Sequence, residues 1–322
     1  MVLPRLAAGI CAVITVITGA SSLHAQTYPE KSIRMIVTGI GGGVDFVARL
    51  VSPALAGSLG QQVVVDNRPS GIIPGEVVAK AAPDGYTVLF TSGSLWVGPF
   101  LQSNVPYDPV RDFVPVTLAA RAPSVLAVHP SLPVKTVKDL IALAKARPGE
   151  LNYASSGAAG GTTHLAAELF KALAGVDIVR VSYRATGPAL SALLGGEVQL
   201  TFAPAAAATP HVKSGRLRAL GVSSAEASAL APGLPTIASA GVPGYVLVSI
   251  FGILAPAKTP ANIVGRLNQE VVRILNGAEV KEKLLNTGVE AVGSSPEEFR
   301  DAIGSEMARL GKVIKDAGIR AE

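Results

Sequence analysis

Cysteine is almost missing from this sequence, and its scarcity removes several kinds of chemistry. The 322 residues include a single cysteine, Cys11, which lies in an N-terminal stretch that we expect to be cleaved off. A mature chain without cysteine forms no disulfide, no thiolate metal site and no cysteine nucleophile. This does not argue against export, because a chain of this length can bury a sufficient core without disulfides.

Motifs for other catalytic chemistry are also missing. His129, His164 and His211 are far apart in the sequence and show none of the short spacings typical of a zinc site. There is no Gly-x-Ser-x-Gly nucleophile elbow, and neither Ser155 nor Ser156 has an identifiable base. We therefore expect no metal, no cofactor and no catalytic residue.

Charge is sparse and evenly distributed. The sequence has 28 Lys and Arg against 23 Asp and Glu. The basic residues are scattered, without a run that resembles a nucleic-acid patch, so we expect no nucleic-acid partner. The mild positive balance favours an anionic small molecule only weakly.

The N-terminus is typical of a secretory signal peptide. Arg5 forms a short basic region, residues 6–18 are apolar, and small residues precede a cleavage that we place after Ala25. The apolar run is too short for a comfortable membrane span, and no later segment is long and apolar enough to be one. We expect export with removal of residues 1–25.

The mature chain shows an alternation of strand-like and helix-like segments. About 297 residues remain after residue 25, which suggests two lobes. Apolar runs such as MIV, VVV and VLAV are typical of parallel strands buried on both faces. We predict strands at 32–38, 62–66, 87–91, 124–129, 151–154 and 178–183, and helices at 46–59, 164–174, 188–194, 266–276 and 296–317. This alternation predicts an α/β fold.

Residues 151–175 form the most informative stretch. A predicted strand is followed by a loop of small residues and then by an amphipathic helix, for which Thr162 or Thr163 can serve as N-cap. Small residues let a ligand approach the backbone, and donors at the positive end of a helix suit an anion, above all a carboxylate. The alternative is a tight turn that binds nothing.

A second loop of this type follows the first predicted strand. Its spacing fits neither a dinucleotide fingerprint nor a Walker A loop. Its residues are Gly39, Gly41, Gly42, Gly43 and Asp45. An ordinary structural turn is again the alternative.

Two more strand ends carry hydroxyl groups or a charge. A loop at 91–94 has three hydroxyls, and a turn at 183–188 has Thr186 or Gly187 as cap with Pro188 at the first helical position. Arg184 in this turn is the best candidate for a charged ligand contact, although a surface position is more frequent. Four such strand ends favour a shared cleft at the carboxyl edge of the sheets.

Two side chains beside these loops have two interpretations each. His164 lies in the first turn of the helix that follows the 151–161 segment, where it can contact a ligand but fits packing or capping better. Trp96 follows the 91–94 loop and fits a pocket floor and a core position equally well.

Many sequence blocks, in order, are similar to one known family. They include YPEKSIRMIV, VVVDNRP, AKAAPDGYTVLF, VPYDPVRDFVPVTL, LNYASSG, THLAAELFK, PALSALLGGEVQL and FGILAPAKTP. The chain resembles the Bug-type receptors, which are periplasmic solute-binding proteins of tripartite tricarboxylate transporters. The resemblance extends from about Tyr28 to the C-terminus.

The resemblance implies a type II periplasmic-binding-protein fold, with two α/β lobes and a ligand cleft between them. It implies a first lobe of residues 26–123 plus 245–322 and a second lobe of residues 124–244. It also implies a monomeric periplasmic receptor that captures a small carboxylate and delivers it to a membrane permease. A ligand receptor for a sensor kinase is the alternative function, and an enzyme is a third, less favoured one.

Carried over by position, the ligand contacts of the family fall on both lobes. In the family they come largely from backbone amides, hydroxyls and ordered waters. The matching residues are Gly41, Gly42, Gly43, Asp45, Thr91 and Ser92 in the first lobe, and Ser155, Ser156, Gly157, Gly161, Thr162, Thr163, His164, Arg184, Thr186 and Ala203 in the second.

The sequence departs from the family pattern at the expected ligand site. Ala203-Pro204 stands where the family often has Asp-Asn, which disfavours recognition of an α-amino group. Residues 70–75 form a shorter and more apolar loop than in the family, and Val44 replaces a threonine. We expect a carboxylate with a substantial apolar or aromatic body, because the apolar surface is increased by Ile40, Val44, Ile72 and Ile73.

Overall fold

The computed structural model describes residues 28–38, 43–68, 72–157 and 160–320. The predicted signal peptide, Gly41, Gly42 and Ile40 lie outside these residues. Within them the chain forms ten strands and ten helices. None of these helices combines the length and apolar character that crossing a bilayer requires.

The elements follow each other in an α/β order. The N-terminal part contains β1 (Ile33–Thr38), α1 (Gly43–Leu59), β2 (Val63–Arg68), α2 (Ile73–Ala79), β3 (Thr87–Ser92) and α3 (Ser94–Leu101). The middle part contains β4 (Phe113–Val128), α4 (Val137–Ala146), β5 (Asn152–Ser156), α5 (Thr162–Ala174), β6 (Val179–Tyr183), α6 (Thr186–Leu194), β7 (Leu200–Pro204), α7 (Ala205–Lys213) and β8 (Arg218–Val222). The C-terminal part contains β9 (Val248–Pro256), α8 (Ala261–Leu275), α9 (Ala278–Asn286), β10 (Glu290–Ala291) and α10 (Pro296–Asp316).

The strands form one continuous path with the order β2-β1-β3-β9-β4-β7-β5-β6, and β8 and β10 also pair with β4. The long strand β4 divides this path. Its first part, up to Pro123, pairs antiparallel with β9, and from Ser124 onward it pairs antiparallel with β7 and β8. We call the strands β1, β2, β3, β9, β10 and the first part of β4 the first half-sheet, and the remaining strands the second half-sheet.

Helices cover both faces of the first half-sheet. On one face α1 and α8 bury Val47, Val51 and Val271 against strand residues such as Phe251. On the other face α3 and α10 meet, and the rings of Trp96 and Phe299 pack edge to face with centroids 5.9 Å apart. The long helix α10 begins with a capping box: the Ser295 hydroxyl accepts the Glu298 N–H, and the Glu298 carboxylate accepts the Ser295 N–H. It contacts α3, α5 and β4, so it reaches both half-sheets.

The structure confirms the predicted α/β class and most predicted elements. The expected burial of the apolar runs is only partly correct: MIV lies in the buried strand β1, whereas VVV lies in β2 at the sheet edge, where Val64 is 52% exposed. The segment VLAV is buried but pairs antiparallel with its neighbours.

Several predicted element starts are wrong. Gly161 is the N-cap of α5, without a side-chain cap, because the Thr163 hydroxyl is used elsewhere. Ala185 precedes α6, so that Pro188 is its third residue. The strand predicted at 124–129 is the second part of the 16-residue β4.

We expect Gly252→Ala to destabilise the protein, because the added methyl carbon would lie 2.2 Å from Phe299 Cζ and 2.8 Å from the carbonyl oxygen of Thr117. Overpacking of this kind costs about 1–3 kcal/mol. Gly265→Ala is the matched control, because Gly265 lies inside α8 with open space around its Cα. Thermal unfolding should show a lower midpoint for the first variant and an unchanged or higher midpoint for the second. Equal midpoints would contradict the packing of β9 against α10.

Candidate functional site

The N-terminus of α5 is fixed to the end of β5 by one threonine. Thr163 Oγ1 accepts the Ser156 N–H at 2.9 Å and donates to the Ser156 carbonyl oxygen at 3.0 Å. The hydroxyl group therefore satisfies both backbone groups of a residue that ends the strand. The first N–H groups of α5 have no partner within the helix, and this contact holds them in place beside Ser156.

The side chain of Ser156 lies between two other hydroxyl groups. Its Oγ is 3.4 Å from Thr163 Oγ1, and Thr186 Oγ1 at the start of α6 approaches it at 3.4 Å. The N-termini of α5 and α6 thus converge on one serine. Such a cluster of donors at two positive helix ends suits an anionic group.

His164 organises the loop instead of lining a cavity. The side chain is buried, its Nδ1 accepts the Gly160 N–H at 3.0 Å, and its Nε2 lies 3.9 Å from Glu168 Oε1. Of the two interpretations of this histidine, the geometry agrees with packing and capping.

Asp45 and Thr91 serve similar internal roles in the first half-sheet. Asp45 Oδ1 accepts hydrogen bonds from Arg49 Nε at 2.9 Å and from Asn67 Nδ2 at 2.8 Å, which joins the start of α1 to the end of β2. Thr91 is buried and its Oγ1 accepts from Thr38 Oγ1 at 2.9 Å. Both side chains link the ends of neighbouring elements in the first half-sheet.

A cavity of about 360 Å³, which we call the polar cavity because six hydroxyl side chains line it, lies between the two half-sheets. Four of the predicted site residues line it, together with residues of β9 and of the α9–β10 turn. Those four are Gly43, Ser156, Thr162 and Thr163, and β9 adds Ser249 and Phe251. The Phe251 ring packs against the start of α1, where a methyl group on Gly43 would lie 3.2 Å from Cζ.

A second cavity of about 470 Å³, which we call the apolar chamber, lies on the α3 and α10 side. Ser92, Gly161 and Thr162 are the predicted site residues that line it. Most of the remaining wall is apolar and includes Val97, Leu101, Leu165, Leu247 and Leu310.

The two cavities meet at Thr162 and Ser249, which line both of them. Ser249 Oγ donates a long hydrogen bond of 3.4 Å to Thr162 Oγ1 across this junction. We use the word cleft for the polar cavity and the apolar chamber together. One end of the cleft offers hydroxyls and helix N-termini, and the other offers mainly apolar surface.

The two half-sheets approach each other closely on both sides of the cleft. A methyl group on Gly160 would lie 2.5 Å from the Leu101 side chain, and one on Gly288 would lie 2.0 Å from Ala206 Cβ. Both glycines have positive φ angles, of 78° and 81°. Only glycine is suited to these positions, since any side chain would separate the two walls of the cleft.

Glu306 is an ionisable residue in the wall of the chamber. It is 8% exposed, and Trp96 Nε1 donates to its Oε2 at 2.8 Å. Burial raises the pKa of the Glu306 carboxyl to about 7, against the smaller opposite effects of the Trp96 hydrogen bond and the Arg309 charge. The carboxyl is therefore partly neutral near pH 7.

The other predicted site residues line neither cavity as the described residues define them. Arg184 and Gly157 are exposed, and Ser155 is fully buried with an Oγ that makes no hydrogen bond in the described structure. Thr186 does not line the polar cavity in the described structure, but its hydroxyl contacts Ser156, which does. Ala203 is buried, and its neighbour Pro204 lines the polar cavity.

The expected source of the apolar surface is wrong in one respect. Val44 is buried in the core of the first half-sheet, and neither Ile72 nor Ile73 lines the cavities as the described residues define them. The apolar wall comes instead from α3, α5 and α10. Sequence reasoning missed Ser249, Phe251 and Glu306 as site residues, since no local pattern in β9 or α10 points to a ligand and both elements reach the cleft only through the fold.

No group of three or more metal-ligating side chains occurs in the described part of the chain. The arrangement is that of an α/β protein whose two half-sheets share the long strand β4 and enclose a cleft at their edges, as in periplasmic binding proteins. Its chemistry is hydrogen bonding to an anion at one end and apolar contact at the other.

Comparisons with known proteins identify the family. The profile described as tripartite tricarboxylate transporter family receptor (TctC) matches residues 47–319. Protein BugT of Bordetella pertussis is 38% identical over 306 residues, which cover 94% of each chain. The chain belongs to the tripartite tricarboxylate transporter receptor family, and it is a solute-binding receptor of that family.

Two solved structures of relatives contain carboxylates. The R. palustris protein Rpa4515 with adipate is 39% identical, has a TM-score of 0.73, and the match covers 91% of this chain and 99% of that one. MatC from Rhodopseudomonas palustris with bound malate is 28% identical, with a TM-score of 0.71 and coverage of 89% and 100%. The predicted family and fold class are thus confirmed.

We expect Thr163→Val to lower the free energy of unfolding by about 1–3 kcal/mol, because it leaves the N–H and carbonyl of Ser156 without their hydroxyl partner. Thr163→Ser keeps the hydroxyl and should recover most of the loss. Thr162→Val is the neighbouring control, since within the described residues its hydroxyl makes only the long contact with Ser249. Denaturant unfolding would measure the three variants, and equal stability of Thr163→Val and the wild type would contradict the contact.

Glu306 should make the protein less stable as the pH rises. Its pKa in the folded state is about 7, above the ordinary glutamate value, so the folded state binds the proton more tightly than the unfolded state. This contribution is fully present below about pH 4.5 and is lost as the pH rises to about 7, at a cost of about 3 kcal/mol. Glu306→Gln should lack this decline. Unfolding measured from about pH 5 to 8 for both proteins gives the difference, and parallel curves would contradict a buried, titrating Glu306.

Proposed function

We propose that the protein is a periplasmic receptor that captures a small carboxylate in the cleft and delivers it to a tripartite tricarboxylate-type membrane permease. The observation that carries the proposal is the convergence of Ser156, Thr162 and Thr163 at the N-terminus of α5, inside a cavity between the half-sheets. Membership of the receptor family and the carboxylates named with two relatives support it. The predicted signal peptide supports the periplasmic location.

We divide the receptor into a first lobe of residues 26–123 plus 245–322 and a second lobe of residues 124–244. The change of partners along β4 supports this division, because Pro123 pairs with Val248 of β9 and Ser124 pairs with Pro204 of β7. The chain then crosses from one lobe to the other only near β4 and β9, and these crossing segments act as the hinge.

In this proposal the ligand carboxylate lies at the N-terminus of α5. The hydroxyls of Thr162 and Ser156 and the helix N–H groups donate to it, while Gly43 and Phe251 approach from the first lobe. A ligand that contacts both lobes binds the closed form more tightly than the open form. It therefore shifts the population toward closure, which the permease can recognise.

The ligand body is expected to be apolar. The apolar chamber wall formed by Leu101, Leu165 and Leu310 supports this expectation. Val44 does not support it, because Val44 is buried in the core. Ala203 and Pro204 offer no carboxylate for an α-amino group. A carboxylate on an aliphatic chain therefore fits both ends of the cleft.

We expect titration calorimetry of the mature protein with a set of aliphatic carboxylates to show binding. Thr162→Val should weaken it about tenfold to hundredfold, because one hydrogen bond to a charged group contributes about 1.5–3 kcal/mol. Thr162→Ser keeps the hydroxyl and is the matched control. Tight binding of aspartate or glutamate without binding of aliphatic or aromatic acids would overturn the apolar-body proposal, and consumption of the ligand during incubation would indicate an enzyme.

A further inference from the structure

The apolar chamber contains an acid that carboxylate capture does not use. Glu306 of α10 lines the chamber and does not line the polar cavity in the described structure. One carboxylate oxygen, Oε2, accepts the indole N–H of Trp96. The other, Oε1, lies beside Gly93, where an added methyl carbon would be 3.4 Å away, and both residues line the chamber.

No charged side chain other than Glu306 lines the chamber in the described structure. The β3–α3 turn contributes Ser92 and Ser94, and α3, α5 and β9 contribute neutral side chains. Arg309 on the same helix is the charged group that acts on Glu306. A carboxyl group in such a wall prefers its neutral form, which is consistent with a pKa raised to about 7 by burial.

A neutral Glu306 can offer a hydrogen bond to a ligand. Because Oε2 already accepts from Trp96, the proton is best placed on Oε1, next to Gly93 in the chamber wall. The group then donates to an acceptor. An ionised Glu306 would repel a second carboxylate and attract an ammonium group.

We propose that Glu306 is a specificity-determining residue that recognises a hydrogen-bond acceptor, in the first place a second carboxylate, at the far end of a linear ligand. This inference rests on the proposed function, which places the first carboxylate at the N-terminus of α5. The aliphatic body runs alongside Thr162 and Ser249, which line both cavities, into the chamber, and its far end reaches Glu306.

Three ligands of equal chain length test the inference: hexanedioate, hexanoate and 6-aminohexanoate. Titration calorimetry at pH 6 and pH 8 would measure each of them on the wild type. We expect hexanedioate to bind most tightly at pH 6 and to lose about tenfold in affinity by pH 8, since the neutral fraction of a group with a pKa near 7 falls about tenfold. The affinity of 6-aminohexanoate should change in the opposite direction.

Two variants separate recognition from a structural role. Glu306→Gln should remove the opposite pH trends of the two ligands while carboxylate binding itself remains. Trp96→Phe removes the N–H donor that lowers the pKa of Glu306, so the hexanedioate profile should move to higher pH. Glu270→Gln is the matched control: Glu270 is a buried acid of α8, paired with Arg273, that lines neither cavity in the described structure.

The single tryptophan of the sequence gives an independent readout. Trp96 donates directly to Glu306, so its fluorescence in the ligand-free protein should change with a midpoint near pH 7. Hexanedioate should move this midpoint upward, because it binds the neutral form. Glu306→Gln should show neither effect.

The outcomes distinguish this inference from the proposed function. Binding of the carboxylates with the same pH profile in the wild type and in Glu306→Gln would overturn the role of Glu306 and leave the proposed function intact. A folded protein that binds no carboxylate at all would overturn both. Preference for 6-aminohexanoate at pH 6 would also overturn the inference, because it would show an ionised Glu306.

Discussion

The antiparallel pairing of β4 with β9 is the interaction on which the rest of the structure depends. Strand β4 pairs with β9 as far as Pro123 and then leaves it for β7 and β8, so one strand belongs to both half-sheets. The register shifts twice along the β4–β9 pair, and such irregularities bend strands and increase their twist. The ends of β3 and β5 lie in the wall of the cleft, where Ser92 lines the chamber and Ser156 lines the polar cavity. Gly252 in β9 makes the pairing compatible with α10, because Phe299 occupies the space of a side chain.

The cleft has two chemically different ends because different layers of the fold supply them. The polar end is built at the starts of α1, α5 and α6, where helix N–H groups and short hydroxyl side chains converge. The apolar end is built from the sides of α3, α5 and α10, which present core-like residues to the chamber. Thr162 belongs to both ends because it is the first residue of α5 and stands at the junction.

Local patterns in the sequence were sufficient for much of the fold. Periodicity located α5 within two residues at its start, and the helix predicted at 296–317 begins at Pro296 as expected. Only the second part of β4 was predicted, because Pro115 and Pro123 interrupt the strand pattern. Both prolines are compatible with the strand, since the register shifts after Pro115 and the strand changes its partner after Pro123. The N-cap of α5 was wrong for a tertiary reason. A threonine at a helix start resembles a cap in sequence, but Thr163 uses its hydroxyl on Ser156 of the preceding strand.

Only those parts of the candidate site whose residues are close together in the sequence could be predicted. Glycine and hydroxyl residues at strand ends pointed to the polar cavity, because a strand, its loop and its helix are continuous in sequence. The chamber joins Trp96 to Glu306, which are 210 positions apart, and no local pattern relates them.

The position of Glu306 is more consistent with recognition than with stability. A carboxyl group that ionises while buried weakens the fold above pH 7, and glutamine at the same place could accept the Trp96 N–H equally well. Structure alone therefore gives no advantage to the acid over its amide. Glutamate has an advantage over glutamine only when a ligand in the chamber interacts with a group that can both donate a proton in a hydrogen bond and ionise. A ligand whose far end accepts a hydrogen bond makes that distinction, and Glu306 Oε1, beside Gly93 in the chamber wall, is where it can do so.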